Sequence, residues 1–334
     1  MQNWSVLFVG LGPLGKMILA DFVSRRLGTV AGLVDINPRL AGQRGRDIVP
    51  GASDQPVKAT IADAVQSVDP KTISAAVLAT SSDLAQCMPS LRDLLSRGVR
   101  VVSTCEELLW PWLRHEAHAS ELDELCRRHS TAVVGTGVNP GFLMDTLPVA
   151  LTAVCRDVRR VRVERYQDAT TRRIPFQQKI GATLSEDEFA RRVEAKTLRH
   201  VGLGESLHFL AHYLSLGVTR WNETIAPVRA ERSLTCSLGE IKPGGISGVR
   251  QTAHGWNAAG DEIITLTFQA TIGQENPRDR VVIESDPPIE SVIPGAVHGD
   301  AATSAITLNT IPRLAEAPPG LHTMATLPMT RFVR

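Results

Sequence analysis

Residues 10 to 15 read GLGPLG, placing Gly10, Gly12 and Gly15 at the spacing of a phosphate-cradling turn. The first glycine permits a tight turn and the second lets backbone amides approach a pyrophosphate. The third lets a helix lie close to a sheet. Asp35 stands 20 residues beyond Gly15, where a carboxylate accepts the hydroxyls of a ribose. Pro13 and Leu14 complete the loop. Thr80 and Ser81 end a later apolar run at the same expected sheet edge, where they either meet the ligand or cap the next helix. This set points to a dinucleotide, NAD or NADP. Asp35 would repel a 2′-phosphate and favours NAD. Arg39, four residues later, could meet that phosphate and keeps NADP open.

A second group carries acid–base potential. The segment VVSTCEELLWPW puts Glu106 and Glu107 just past an expected strand. A carboxylate there can take or give a proton during redox chemistry, although paired acids at a helix start also complement its dipole. Trp110 and Trp112 would line an apolar pocket and raise the acid's pKa. Further on, GTGVNPGFLMD surrounds Asn139 and Pro140 with Gly135, Gly137 and Gly141, a backbone shaped to fit something. Asn139 would bind a nicotinamide amide or cap the following helix.

The elements needed to hold these residues are legible as alternating patterns. Val6 to Val9 reads as a strand, Leu14 to Phe22 as a helix, and Thr29 to Val34 as a strand, a βαβ unit. Strands at 73–79, 99–103 and 132–135 alternate with helices at 84–97 and 106–128, the latter interrupted near Trp110 and Pro111. The expected fold is α/β, an N-terminal Rossmann doubly wound parallel sheet. After about Gly141 the texture becomes α+β with a mixed or antiparallel sheet: strands at 158–166, 263–272 and 281–283, and a polar helix at 184–196. A last helix over 299–317 is expected to be capped near Asp300, to end or kink at Pro312, and to return to the first domain. The expected domains are 1–142 for the dinucleotide, 143–298 for substrate and dimerisation, and 299–334 packing back.

Composition narrows the class. The 334 residues carry 36 basic and 35 acidic side chains, so no strong field recruits nucleic acid or an anionic membrane. No apolar run reaches the roughly 18 residues of a membrane span, and the N-terminal apolar stretch reads as a buried strand rather than a signal peptide. Five cysteines without a CxxC pair suggest reduced thiols in a cytoplasmic protein, with no disulfide framework and no metal cluster.

GLGPLG, VVSTCEEL and GTGVNPGFLMDTLP together resemble the 2,4-diaminopentanoate dehydrogenases and related native amine dehydrogenases. RRIPFQQKIG, RHVGLGES, PRDRVVIE and the run from Gly299 to Pro328 agree, so the resemblance spans nearly the whole chain. The family shares its fold with dihydrodipicolinate reductases. This chain lacks their paired histidines followed by Lys and a Pro-Ser-Gly-Thr stretch. The resemblance implies reversible NAD(P)-linked deamination of a primary amine, or in reverse amination of a ketone or aldehyde with ammonia. It assigns the catalytic acid to Glu106, with Glu107 as its neighbour at the substrate. Tyr166, Thr171, Phe176, His200 and Thr303 become substrate-site candidates by position, with Tyr166 and Phe176 alternatively core aromatics and His200 a satisfied polar residue; Phe142 and Leu143 after the NPG turn suggest an apolar wall of the pocket, and a homodimer is implied. Arg172 and Arg173 would either suit a substrate carboxylate or form a solvated strand end. Two other readings stay open: an imine or enamine reductase that needs no ammonia, and an NAD(P)-binding redox sensor without turnover.

Overall fold

A computed structural model describes residues 3–66 and 68–334. In chain order the first elements are β1 (Trp4–Val9), α1 (Pro13–Ser24), β2 (Gly28–Val34), α2 (Gly45–Ile48), β3 (Val57–Lys58), α3 (Ile61–Val65), β4 (Ala75–Leu78), α4 (Leu84–Ser96), β5 (Val101–Ser103), α5 (Glu116–Arg128) and β6 (Ala132–Gly135). There follow α6 (Thr146–Leu151), β7 (Asp157–Asp168), α7 (Ile174–Lys179), α8 (Glu186–Glu194), α9 (Leu203–Tyr213), β8 (Arg220–Arg229), β9 (Leu234–Cys236) and β10 (Gly239–Ile241). The chain ends with β11 (Ile246–Trp256), β12 (Glu262–Thr271), β13 (Arg278–Asp286), β14 (Ile289–Pro294), α10 (Gly299–Ala315) and β15 (Gly320–His322). Two compact units result. One holds the chain through Phe142 together with His298–Arg334, and the other holds Leu143–Val297.

The first unit is a seven-stranded parallel sheet in the order β15-β6-β5-β4-β1-β2-β3. Its central strands are mostly apolar, with Ser5 of β1 and Ser103 of β5 the exceptions, because helices cover both faces. Leu84, Leu91 and Leu95 of α4 and Leu122 of α5 pack with Leu7, Val9 and Val101 in one core. Phe22 of α1 meets Phe8 of β1 edge-on at 5.4 Å. The order 3-2-1-4-5-6 of the first six strands is the Rossmann order, extended by β15 beyond β6.

Helix α10 begins at Gly299 as the sequence indicates, and its cap is His298, whose Nδ1 accepts from Ala301 N. It also continues through Pro312 to Ala315. Fully buried flanks, Leu308, Ile311 and Leu314, hold the segment helical where a solvated helix would break.

The second unit centres on a six-stranded mixed sheet, β14-β13-β7-β12-β11-β8, in which β7 and β12 run parallel and the other pairs antiparallel. One face carries an apolar core including Ile180, Phe189, Leu198, Val249 and Phe268. Strand β7 alternates accordingly: Val161, Val163, Arg165 and Gln167 are buried, and Arg162, Glu164 and Tyr166 are not. No helix among the described residues is long and apolar enough to cross a membrane.

Candidate active site

The first unit gathers its candidate residues along one sheet edge. The glycine loop follows β1, Asp35 follows β2, Thr80 and Ser81 follow β4, Glu106 follows β5, and Asn139 with Pro140 follow β6. All these strands are parallel, so all these positions lie at carboxyl ends, where ligands bind in open α/β sheets.

Each glycine of the loop has a distinct spatial reason. Gly10 adopts φ +92°, and a Cβ there would stand 2.5 Å from Ala79 O. A Cβ on Gly15 would stand 1.9 Å from Gly10 O, so loop and helix could not close. A Cβ on Gly12 would meet nothing within 4 Å, which leaves open space at the N-terminus of α1. Pro13 occupies the first helical turn, where its missing N–H leaves no intrahelical bond unmade. Leu14 is half-buried beside it. An adjoining cavity of about 380 Å³ is lined by Gly10, Gly12, Asp35, Ile36, Thr60 and Thr80. Ile36 is 91% exposed at its rim, an apolar surface suited to a flat base.

Asp35 is fixed from two sides. Oδ2 accepts from Leu11 N at 2.6 Å and Oδ1 from Asn37 N at 2.7 Å, so the carboxylate ties the glycine loop to the end of β2. Arg39 is exposed, and its backbone N–H donates to Asn37 Oδ1. Ser81 Oγ accepts from Asp83 N and donates to Gln86 Oε1, while Asp83 itself caps α4. Thr80 Oγ1 lies 3.7 Å from Cys87 Sγ.

Glu106 opens a short 3-10 turn, Glu106–Leu109, and is partly exposed. Gly135 at the end of β6 makes room for this turn, since a Cβ there would lie 2.6 Å from Leu108 C. Glu107 is buried and faces elsewhere. Its Oε2 accepts from Leu84 N at 2.9 Å and pairs with His115 Nε2 at 2.8 Å. Trp110 and Trp112 pack on each other with ring centroids 4.8 Å apart, and Trp112 stays exposed.

In the 135–141 loop the Asn139-Pro140 peptide is cis. Val138 N donates to Thr303 Oγ1 at 3.2 Å, so Thr303 of α10 secures the loop's backbone. Both polar atoms of the Asn139 side chain are buried and have no hydrogen-bond partner among the described residues. A buried carboxamide without partners is costly unless a ligand supplies them. Phe142, half-buried, ends this stretch.

In the second unit, Leu143 is buried, Thr171 is exposed in the turn after β7, and Phe176 lies under the guanidinium of the buried Arg172 at 4.2 Å. His200 is held by Gln251, which accepts from His200 N and donates to His200 O, both at 2.7 Å. The imidazole stacks on Phe268 at 4.5 Å, and its Nε2 is buried without a hydrogen-bond partner among the described residues. Burial, with Lys179 and Arg165 nearby, pushes its pKa down to about 3, so the ring is neutral at physiological pH. Tyr166 does not join His200. Phe268 pairs in register with Arg165, so Arg165 shares the His200 face and Tyr166 points to the other. There Arg278 stacks on its ring at 4.5 Å.

The supports of His200 escaped sequence reasoning. Gln251 and Phe268 lie on β11 and β12, and their approach depends on strand register. The Leu11–Asp35 bond and the Thr303 tether carried no sequence signal either.

Residues 142–334 match the model of the 2,4-diaminopentanoate dehydrogenase C-terminal domain, more than half of the chain. The chain belongs to this dehydrogenase family. Residues 1–102 match a CoA binding domain model. The 2,4-diaminopentanoate dehydrogenase of Acetoanaerobium sticklandii is 26% identical over 353 residues, covering 100% of this chain and 96% of that protein. An amine dehydrogenase structure from Mycobacterium smegmatis superposes with TM-score 0.83 at 20% identity, covering 99% of this chain and 98% of the other. A myo-inositol dehydrogenase from Corynebacterium glutamicum gives TM-score 0.54 at 10% identity, covering 93% and 89%. Family membership and fold therefore agree with the 2,4-diaminopentanoate dehydrogenase resemblance read from the motifs.

Proposed function

We propose that the chain is an NAD(P)-dependent amine dehydrogenase that interconverts a small primary amine with its ketone or aldehyde and ammonia, with Glu106 as the catalytic acid. The observation that carries this assignment is the placement of Glu106 after β5 on the same carboxyl edge as the glycine loop and Asn139. In the aminating direction, carbonyl compound, ammonia, NAD(P)H and a proton give amine, NAD(P)+ and water. Bound NAD(P)H supplies the hydride that reduces the substrate carbon. Glu106 handles the protons: it takes one from nitrogen as ammonia adds and passes it to the carbonyl oxygen, then delivers the solvent-derived proton of the overall equation as water leaves. As an anion it then stabilises the positive iminium. The amides at the start of α1 would hold the pyrophosphate, Asp35 the adenosine ribose, and Asn139, with its unpartnered donor and acceptor, the nicotinamide carboxamide.

Asp35 favours NAD. A carboxylate held by Leu11 N and Asn37 N would stand beside the ribose, where the 2′-phosphate of NADP or the 3′-phosphate of CoA would be repelled. The second unit is assigned substrate recognition and dimerisation. His200 offers a neutral imidazole, and buried Arg172 suits a carboxylate such as that of 2,4-diaminopentanoate. The sheet face bearing Tyr166, Arg278 and Val292 (46% exposed) is assigned as the surface that pairs two copies.

The test is NAD(P)H oxidation with a panel of small ketones, aldehydes and 2-amino-4-oxopentanoate, with and without concentrated ammonium, on wild type and Glu106→Gln. Ammonium-dependent turnover that falls roughly 10²–10⁴-fold in the variant is expected. Turnover of the carbonyl compounds without ammonium would replace the reading by carbonyl reduction to an alcohol, and turnover only of an added cyclic imine would replace it by imine reduction. NADH binding with no turnover on any substrate would leave a redox sensor.

A further inference from the structure

We infer that Glu107 and His115 are positioning residues that orient Glu106, an inference that rests on the assignment of Glu106 as the acid. The turn Glu106–Leu109 is only four residues long, and Leu108 N to Cys105 O at 3.2 Å closes it. So short a segment has little rigidity of its own. A 3-10 turn has three residues per turn, so adjacent side chains diverge by about 120°. Glu106 and Glu107 therefore cannot share a face, and anchoring one sets the direction of the other.

Glu107 is anchored on three bonds. Its N–H donates to Ser82 O at 3.2 Å, and its Oε2 meets both Leu84 N and His115 Nε2. Leu84 is the first residue of α4, a helix of 13 residues, so the carboxylate complements that helix terminus as well. Cys105 Sγ donates to the same Ser82 O at 3.3 Å, doubling the attachment. His115 lies just beyond the second 3-10 turn, Pro111–Leu113, and its N–H donates to Pro111 O at 2.7 Å. The pair thus ties both ends of the 106–115 segment to the start of α4, which itself follows Thr80 and Ser81 of the cofactor edge. An ordinary surface acid pair would be exposed and loosely held, whereas the Glu107 side chain is 10% exposed.

The experiment measures kcat, the KM for ammonium and carbonyl substrate, the Kd of NADH by fluorescence, and Tm. Wild type is compared with Glu106→Gln, Glu107→Gln, Glu107→Leu and His115→Gln. Expected is a fall in kcat of at least ten-fold for Glu107→Leu with NADH Kd within two-fold. Glu107→Gln, which keeps an acceptor for Leu84 N, should recover most of that loss, and His115→Gln should lose kcat several-fold. A lowered Tm with kcat unchanged would mark a merely structural role and overturn the inference. Should Glu107→Leu fail to fold, Glu107→Gln and His115→Gln decide: wild-type kcat in both overturns it. Glu106→Gln separates the two layers. If it is inactive while the Glu107 and His115 variants are normal, only the positioning role falls. If it retains wild-type kcat, the assignment of the acid falls and the positioning role with it.

Discussion

The carbonyl oxygen of Gly10 occupies the place where a side chain on Gly15 would begin, 1.9 Å from the ideal Cβ position. This contact joins the end of β1 to the first turn of α1, so loop geometry and helix packing are a single constraint. Gly12, two residues from Gly10, is the opposite case, with open space around its missing Cβ.

The two glycines therefore separate fold from ligand. Gly15→Ala should lower stability by about 1–3 kcal/mol, the usual range for overpacking, and weaken NADH binding as well. Gly12→Ala should leave Tm within a degree or two and weaken NADH binding at least ten-fold, because only the approach of a pyrophosphate is blocked. Thermal melts paired with NADH fluorescence titrations check both. Equal losses of Tm in the two variants would refute the distinction.

Asp35 makes a second prediction. Its two backbone bonds are charge-assisted, each in a class worth about 1.5–3 kcal/mol. Asp35→Ala removes both, together with the charge that rejects an extra phosphate. NAD affinity should drop at least ten-fold, and the ratio of kcat/KM for NAD over NADP should fall toward one. Kinetics with each cofactor measure this ratio. An unchanged ratio would move cofactor choice away from Asp35.

His200 gives a pH signature in stability. Its folded pKa, pushed down to about 3, lies below the ordinary value of 6.5. Between those values the unfolded chain binds a proton that the native state does not. Stability associated with the neutral ring is thus fully present above about pH 6.5 and is lost as pH falls toward 3, at about 1.4 kcal/mol per pH unit. His200→Gln removes the titration. Urea denaturation of both proteins between pH 7 and 4 should show a shallower acid slope for the variant. Parallel slopes would mean that the imidazole is already protonated in the folded state.

Sequence reasoning reached the parts whose causes are local. The glycine spacing, the acid closing β2, the interruption at Trp110-Pro111 and the long final helix all follow from adjacent residues. It did not reach features created by pairing. Strand β8 carries Pro227 and alternates weakly, and only its place at the sheet edge makes that tolerable. The face taken by Tyr166 was opaque because one residue of register between β7 and β12 would exchange it with Arg165 beside Phe268. Glu107 looked like a second acid for substrate, and its partner, Leu84 N, lies 23 residues earlier.

The same register brings together an ion pair that motif reading passed over. Arg165 and Asp279, 2% and 5% exposed, meet at 2.7 Å from neighbouring strands β7 and β13. Around them the main chain of Val297 completes a closed set: its N–H donates to Asp279 Oδ2 at 2.8 Å, and its carbonyl accepts from Arg165 Nη2 at 2.9 Å. Asp279→Ala would strand the guanidinium and the Val297 amide in a dry site. The expected loss is about 3–5 kcal/mol, as for other broken buried pairs. Replacing both partners, Arg165→Met with Asp279→Leu, should be less damaging than Asp279→Ala alone, because no buried charge is left without its counterion. Chemical denaturation of the two variants decides the order. A double variant less stable than the single one would show that the pair acts through shape and Val297 contacts rather than through charge.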